Sequence, residues 1–289
     1  MLQRLATDIG PVCYISSRLR DAGVPHAFTT RLGGVSEQPF DSLNFQPASL
    51  DATSLGEPVT PGARSSAPGK DQYHAVVENF RRVAAALDCA DRQVICVWQV
   101  HGVRTCVWPD DVASPRPTDS PAVVMQADAL ATRDPSALLA IRTADCVPIL
   151  LASSDGRAVA AVHAGWRGVV DGVLPAAVAT LASRLNVAPA KLFAAIGPCI
   201  GVGHFEVGPE VAEAFAAAGL GNHVDHSHAK PHIDLAAAIT GQLCAAGVPA
   251  SHIDRSDACT YRDRDEFFSH RRDQGKTGRM AAVIGVASK

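Results

Sequence analysis

Two histidines and a cysteine stand where strand-like runs end: His101 in VWQVHG, Cys146 in IRTADCVPILL, and His163 closing AVAAVH directly before AGWRG. Taken singly, each has an ordinary reading, His101 as a hydrogen-bonded residue at a strand edge and Cys146 as a core thiol. Together, two imidazoles and a thiolate form a ligand set that suits Zn²⁺. Three protein ligands leave a fourth position for water or substrate, which is the catalytic rather than the structural arrangement. The spacings of forty-five and seventeen residues fit strands that converge in space, not a zinc finger.

The Gly165-Trp166-Arg167-Gly168 turn has two readings. Its glycines would let backbone N–H groups approach a ligand, the following helix would point its positive end at an anion, and the planar fork of Arg167 would complete a phosphate or carboxylate clamp. The same residues also make a plain strand-to-helix turn with Arg167 solvated. Thr29 to Ser36 (TTRLGGVS) followed by Asp41-Ser42-Leu43-Asn44 surrounds one arginine with glycine backbone and small polar groups. Arg31, Ser42 and Asn44 are accordingly read as contacts for a polar ligand. His223, His226, His228 and His232 include a His-x-His pair able to chelate a metal, but NHVDHSHAKPH is polar and reads first as a solvated loop. Phe267-Phe268-Ser269-His270-Arg271-Arg272 places arginines either by a pocket or on a surface.

The elements that must position these groups alternate short β-branched runs with Ala-rich stretches, an α/β or α+β pattern. Val76, Phe80, Val83 and Leu87 share one face of a helix starting near Ala75. Strands are expected at 94–98, 103–108, 137–142, 147–152, 158–163, 192–196 and 281–286. Helices are expected from the GWRG turn through Leu185, at about 209–218 and at 234–246. Residues 46–72 hold four prolines, three glycines and four serines without a period and read as a flexible insertion. Four further prolines between 109 and 121 mark another loop. With no repeat and no clear linker, the 289 residues are expected to form one domain.

Composition narrows the classes. Hydrophobic residues make up 47% and charged residues 19%, so the chain can bury a sizeable core. Twenty-six Lys+Arg against twenty-nine Asp+Glu give a net charge of −3, which argues against a nucleic-acid partner. No apolar run approaches the ~20 residues of a membrane span, and the N-terminus lacks a secretory pattern. A cytoplasmic protein without a membrane partner is expected. The eight cysteines include no CxxC pair, and a disulfide framework is not expected in such a compartment.

TTRLGGVS with SLNF, WQVHG, ADALAT, TADCVPIL, VHAGWRG, IGPCIG with FEVGPEV, CT, and FFSHRR with TGR follow one another from about residue 26 to 286. In this order the chain resembles the bacterial YfiH family, also called the polyphenol oxidase or laccase-domain family. The resemblance implies an α+β fold of layered mixed β-sheets flanked by helices, of a cysteine-hydrolase type. It implies a metal-dependent enzyme acting on purine nucleosides and inorganic phosphate: a phosphorylase of adenosine, inosine, guanosine and methylthioadenosine with adenosine deaminase activity. The family's zinc ligands carry over to His101, Cys146 and His163. The segment after SLNF departs from the family pattern, because Gln46-Pro47 opens the insertion where a short acidic stretch is usual.

Phosphorolysis requires an anion pocket, for which Arg167, Arg31 and the GWRG backbone are the candidates, and help for the departing purine. Deamination requires an activated water and a proton carrier. Asp145 is read either as that carrier or as a turn cap. One rival is a copper-dependent polyphenol oxidase, although a multicopper enzyme needs far more His-x-His ligands than this chain has. Another is a hydrolase with Cys146 as nucleophile and His163 or His101 as base. A non-enzymatic binding module ranks last.

Overall fold

The computed structural model describes residues 1–6, 10–46, 73–112 and 121–288. Apart from Gln46, the 46–72 insertion lies outside the described residues, as does 113–120 of the second proline-rich loop. In chain order the first elements are β1 (Leu2–Leu5), β2 (Cys13–Ser16), α1 (Ser17–Asp21), β3 (His26–Thr29), α2 (Tyr73–Ala86) and β4 (Gln93–Trp98). The middle of the chain forms β5 (Thr105–Trp108), β6 (Ala122–Gln126), β7 (Ala129–Thr132), β8 (Ala137–Thr143), β9 (Val147–Ser153) and β10 (Val159–Ala164). There follow α3 (Trp166–Asp171), α4 (Val173–Leu185), β11 (Leu192–Ile196), α5 (Pro209–Ala217), β12 (Val224–Asp225), β13 (His232–Ile233), α6 (Leu235–Ala245), β14 (Ile253–Arg255) and β15 (Met280–Gly285).

Two mixed sheets result, one in the order β1-β2-β3-β15-β8-β4-β6 and the other β14-β11-β9-β10-β7-β5, with β12 and β13 paired separately. The apolar runs of β8, β9 and β10 have no polar face because each strand serves two cores. Leu139, Ile141, Leu150, Ala152, Val159 and Ala161 meet between the sheets. Leu138 and Ala140 turn the other way, onto Val76, Phe80 and Val83 of α2. Ile149, Leu151, Ala160 and Val162 pack beneath Val173, Leu174, Leu181 and Ile239 of the opposite helical layer. The order of layers is therefore helix, sheet, sheet, helices, the α+β arrangement expected. Truncating any of these fully buried leucines or isoleucines to alanine costs about 2–5 kcal/mol. Among the described residues no helix is long and apolar enough to cross a membrane.

Strand direction then selects one rim. β4, β6 and β8 run parallel, so their C-terminal ends share an edge of the first sheet. From that edge the chain crosses to the second sheet three times: β4 to β5 through residues 99–104, β6 to β7 through 127–128, and β8 to β9 through 144–146. β10 is antiparallel to both β7 and β9 and ends at the same rim. β15, antiparallel to β8, begins there.

The helix expected from the GWRG turn through Leu185 is in fact two. Gly172 takes a left-handed conformation (φ 84°) and separates α3 from α4, which the continuous apolar pattern of GVVDGVLPAAV conceals. The expected strand at 103–108 starts only at Thr105.

Candidate active site

The three crossings and the end of β10 bring the candidate donors together. His101 lies in the first crossing, Cys146 at the end of the third, and His163 near the end of β10, paired in register with Pro148. Their donor atoms all lie within 4.8 Å of one another. Cys146 Sγ is 3.9 Å from His101 Nε2, and the two imidazoles meet edge to face at 5.0 Å. Donors held tetrahedrally on a cation at ~2.0–2.3 Å stand about 3.3–3.6 Å apart, so closing on one asks each donor to move by less than about 1 Å.

A fully buried carboxylate, Asp128 in the second crossing, sets this geometry. Its Oδ1 is 2.9 Å from His163 Nδ1 and accepts the His101 N–H at 3.0 Å. Oδ2 accepts the N–H groups of Val100 (3.2 Å) and Gly102 (2.7 Å). One side chain thus holds His101 in its left-handed backbone conformation (φ 62°) and commits His163 Nδ1, which leaves Nε2 to face the cluster. Burial tends to raise the Asp128 pKa, but the His163 ring and the backbone donors outweigh it and hold the carboxyl below its ordinary value.

The cluster's charges support one another. Burial would push the Cys146 thiol up, yet the facing His163 and His101 rings bring it well below the usual thiol range. Burial would pull His163 down, yet the Cys146 thiolate and Asp128 hold it above the usual imidazole range. A thiolate beside imidazoles is the form a metal takes up, with release of the proton. Gly165 is the third sign of fit, because a Cβ there would stand 2.7 Å from His101 Cδ2 and 3.1 Å from Cys146 Sγ. The donor set, the committed Nδ1 and the space kept by Gly165 all suit a cation bound by two nitrogens and one sulfur.

The cluster opens on a cavity of about 590 Å³. Trp98, Trp166 and Phe205 give it aromatic wall, and Arg142, Arg167, Arg271 and Arg279 give it positive charge. Arg167 lies over the Trp166 ring at 4.3 Å, and Arg271 over Phe205 at 5.3 Å. α3 spans six residues, so its macrodipole adds less at the GWRG turn than the long helix expected there.

Other sequence expectations sort differently. Arg31, Ser42 and Asn44 are not among the residues lining the cavity. The Arg31 guanidinium bonds the Asp41 carbonyl and carboxylate and stacks on Phe268 at 4.6 Å. Ser42 Oγ joins Gly34 N to the Arg31 carbonyl. Asn44 is buried, accepts the Arg279 N–H at 2.8 Å and bonds the Gln46 backbone, so it bears on the cavity through these two lining residues. Asp145 (φ 86°) is a structural hub and no free proton carrier: its carboxylate accepts from Thr260 Oγ1, Ser269 Oγ and Arg271 N. His228 stacks on His232, whose Nδ1 meets the Val202 carbonyl, and among the described residues the histidine-rich segment forms no group of three metal donors. FFSHRR divides its roles. His270 and Arg271 line the cavity, whereas Arg272 is spent on the carbonyls of Thr260, Tyr261 and Phe267. Sequence reading missed Asp128, Arg142 and Arg279, although ADALAT and TGR contain two of them.

Residues 62–287 match the family model described as multi-copper polyphenol oxidoreductase laccase. A protein of Deinococcus radiodurans named purine nucleoside phosphorylase is 38% identical over 93% of this chain and 92% of its own length. The Escherichia coli protein named purine nucleoside phosphorylase YfiH is 37% identical over 91% of this chain and 93% of its own. The crystal structure of YlmD from Geobacillus stearothermophilus superposes with a TM-score of 0.79 at 31% identity, covering 99% of both chains.

Proposed function

The chain belongs to the YfiH family, and on that premise we propose that it is a zinc-dependent purine nucleoside phosphorylase with adenosine deaminase activity. One observation carries the reading: a His101–Cys146–His163 donor cluster opens on a single cavity that combines aromatic wall with arginine. The substrates are adenosine, inosine, guanosine or methylthioadenosine together with inorganic phosphate. In phosphorolysis the C1′–N9 bond breaks, a phosphate oxygen bonds to C1′, and the purine leaves with the electron pair and takes up a proton. In deamination water replaces the amine at C6 of adenine and ammonia departs.

His101, Cys146 and His163 would hold the zinc, which when bound supplies Lewis-acid polarisation and charge neutralisation at this wall. Asp128 holds the His163 ring directly and His101 through its backbone N–H. Trp166 and Phe205 offer flat apolar surface for a base, and Arg167, splayed over Trp166, offers its fork to substrate oxygens. Arg31, Ser42 and Asn44 contribute through the packing of the loop that carries them. We read residues 1–289 as one domain, since both sheets bury the same intervening core.

Copper is the other metal that suits this donor set. Even so, among the described residues there is one three-donor group, whereas a multicopper oxidase needs several copper sites. A second reading, a hydrolase with Cys146 as nucleophile, is favoured by the buried Asp128–His163 pair beside the thiol.

The test is direct. Metal-loaded protein given adenosine and phosphate is expected to yield adenine and ribose 1-phosphate, and inosine without need of phosphate. Intact adenosine after incubation would reject the proposal. Cys146→Ala is expected to lose both zinc and activity; retention of stoichiometric zinc with loss of activity would favour the nucleophile reading instead.

A further inference from the structure

Two cavity arginines stand at the rim of the first sheet, Arg142 near the end of β8 and Arg279 in the residue before β15. In the antiparallel β8–β15 pair, Arg142 lies opposite Ala281 and Thr143 opposite Met280. Side chains alternate along a strand, so Arg142 and Ala281 share one face, and extending the alternation one residue back from β15 brings Arg279 to the same side. Arg279, two residues before Ala281, is the diagonal neighbour of Arg142, with Cβ atoms about 7 Å apart. Two long guanidinium side chains therefore stand side by side at the rim, close enough that the charge of Arg142 acts on Arg279.

Among the described residues neither has a carboxylate partner, unlike Arg31, Arg82 or Arg184. Arg142 Nη2 donates to the Val97 carbonyl at 3.3 Å, and Arg279 Nη1 donates to the carbonyls of Thr277 and Gly278. A guanidinium carries five N–H donors. The remaining donors are not buried and unpaired, so they open onto the cavity. Among the described residues one carboxylate lines that cavity, Asp145, and it is already engaged by three donors. Burial pulls both guanidinium groups below the usual arginine range; at Arg279 the Cys146 thiolate and the Asp145 carboxylate act against that pull and Arg142 adds to it. Desolvated like charges this close call for a counter-ion.

The pair is also held in place. Gln99 grips the Arg142 backbone from both sides, accepting its N–H at 2.8 Å and donating to its carbonyl at 2.7 Å. Asn44 fixes the Arg279 N–H, and the neighbouring Gly278 packs so tightly that a Cβ would lie 2.8 Å from the Phe268 ring. By contrast Arg167 and Arg271 are exposed and laid against aromatic rings.

We infer that Arg142 and Arg279 together form the seat for the tetrahedral oxyanion, inorganic phosphate, with their free N–H groups donating to its oxygens. This rests on the phosphorolysis reading for its physiological ligand, but the seat itself follows from strand register and from the lack, among the described residues, of a carboxylate paired with either guanidinium.

The experiment is calorimetric binding of inorganic phosphate to the metal-loaded protein without nucleoside, for wild type, Arg142→Gln and Arg279→Gln, with Arg142→Lys and Arg279→Lys as variants that keep the charge and lose the fork. Each Gln variant is expected to bind phosphate at least 10-fold more weakly. In turnover the KM for phosphate rises by the same factor while the KM for adenosine changes less than 3-fold. Should a Gln variant not fold, the Lys variant is expected to show the same loss at smaller amplitude. Phosphate binding that is absent in wild type, or unchanged in both variants, overturns the seat, even if wild type performs phosphorolysis. Binding lost in the variants while wild type makes no ribose 1-phosphate supports the seat and rejects the phosphorylase reading.

Discussion

Asp128→Asn should damage the donor cluster without touching a donor. The carboxylate holds the His163 ring and the His101 N–H on one oxygen and the N–H groups of Val100 and Gly102 on the other. An amide keeps the shape but makes one position a donor. Turned toward Val100 and Gly102 it sets N–H against N–H twice, and turned the other way it opposes the His101 N–H and forces His163 to carry its proton on Nε2, the ligand nitrogen. Hydrogen bonds to a charged group contribute about 1.5–3 kcal/mol each, so losing one or two of them should cost about 1.5–6 kcal/mol of stability if nothing relaxes. Rotation of the His101 loop will recover part of this. Loss of an outer partner of a metal-bound histidine typically weakens metal binding about 10–100-fold. Competition with a chelator of known zinc affinity, alongside urea unfolding of the metal-free protein, reads both quantities. Zinc affinity within 2-fold of wild type, with stability unchanged, would refute the role given to Asp128.

Gly165→Ala should abolish activity and weaken zinc binding at least 10-fold at nearly unchanged helix content, because its Cβ would displace His101 and crowd Cys146; an active, zinc-replete variant would contradict this. His26 is buried, and its Nε2 accepts the Ser16 N–H, which fixes the neutral ring with Nδ1–H donating to the Val24 carbonyl. Burial lowers its pKa from 6.5 to about 4. A histidine depressed in the folded state gives stability that is full above pH 6.5 and lost as pH falls toward 4, up to about 3 kcal/mol. Urea titrations from pH 7 to 4 should show that loss in wild type and its absence in His26→Gln; equal slopes would exclude His26 as the source.

The sequence showed most clearly those parts of the fold whose burial is continuous. Leu192–Ile196 is the strand its apolar run implies, and β8, β9 and β10 read as core strands because both their faces are covered. The break at Gly172 was hidden because apolar residues continue in phase on either side of it. The donor trio was legible because histidine and cysteine are rare at strand ends beside glycine turns. Asp128 was not, since a lone aspartate in ADALAT shows nothing of the three backbone N–H groups that fold onto it. Arg31 stands apart from the cavity lining for a physical reason. The glycines around it serve chain packing, a Cβ at Gly34 falling 2.1 Å from the Ser42 carbonyl oxygen, and Asp41 with Phe268 takes up its charge. The Arg142–Arg279 pair depends on strand register across residues 137 positions apart in the chain, which no local pattern encodes.

The central claim is that two nitrogens and one sulfur from separate strands bind one cation at the rim of the sheets. Zinc-edge X-ray absorption on the purified protein tests it most directly. The account predicts about one zinc per chain, with one sulfur at ~2.3 Å and two imidazole nitrogens at ~2.0–2.1 Å, the sulfur scattering vanishing in Cys146→Ser. A spectrum without sulfur, or one left unchanged by Cys146→Ser, would contradict it.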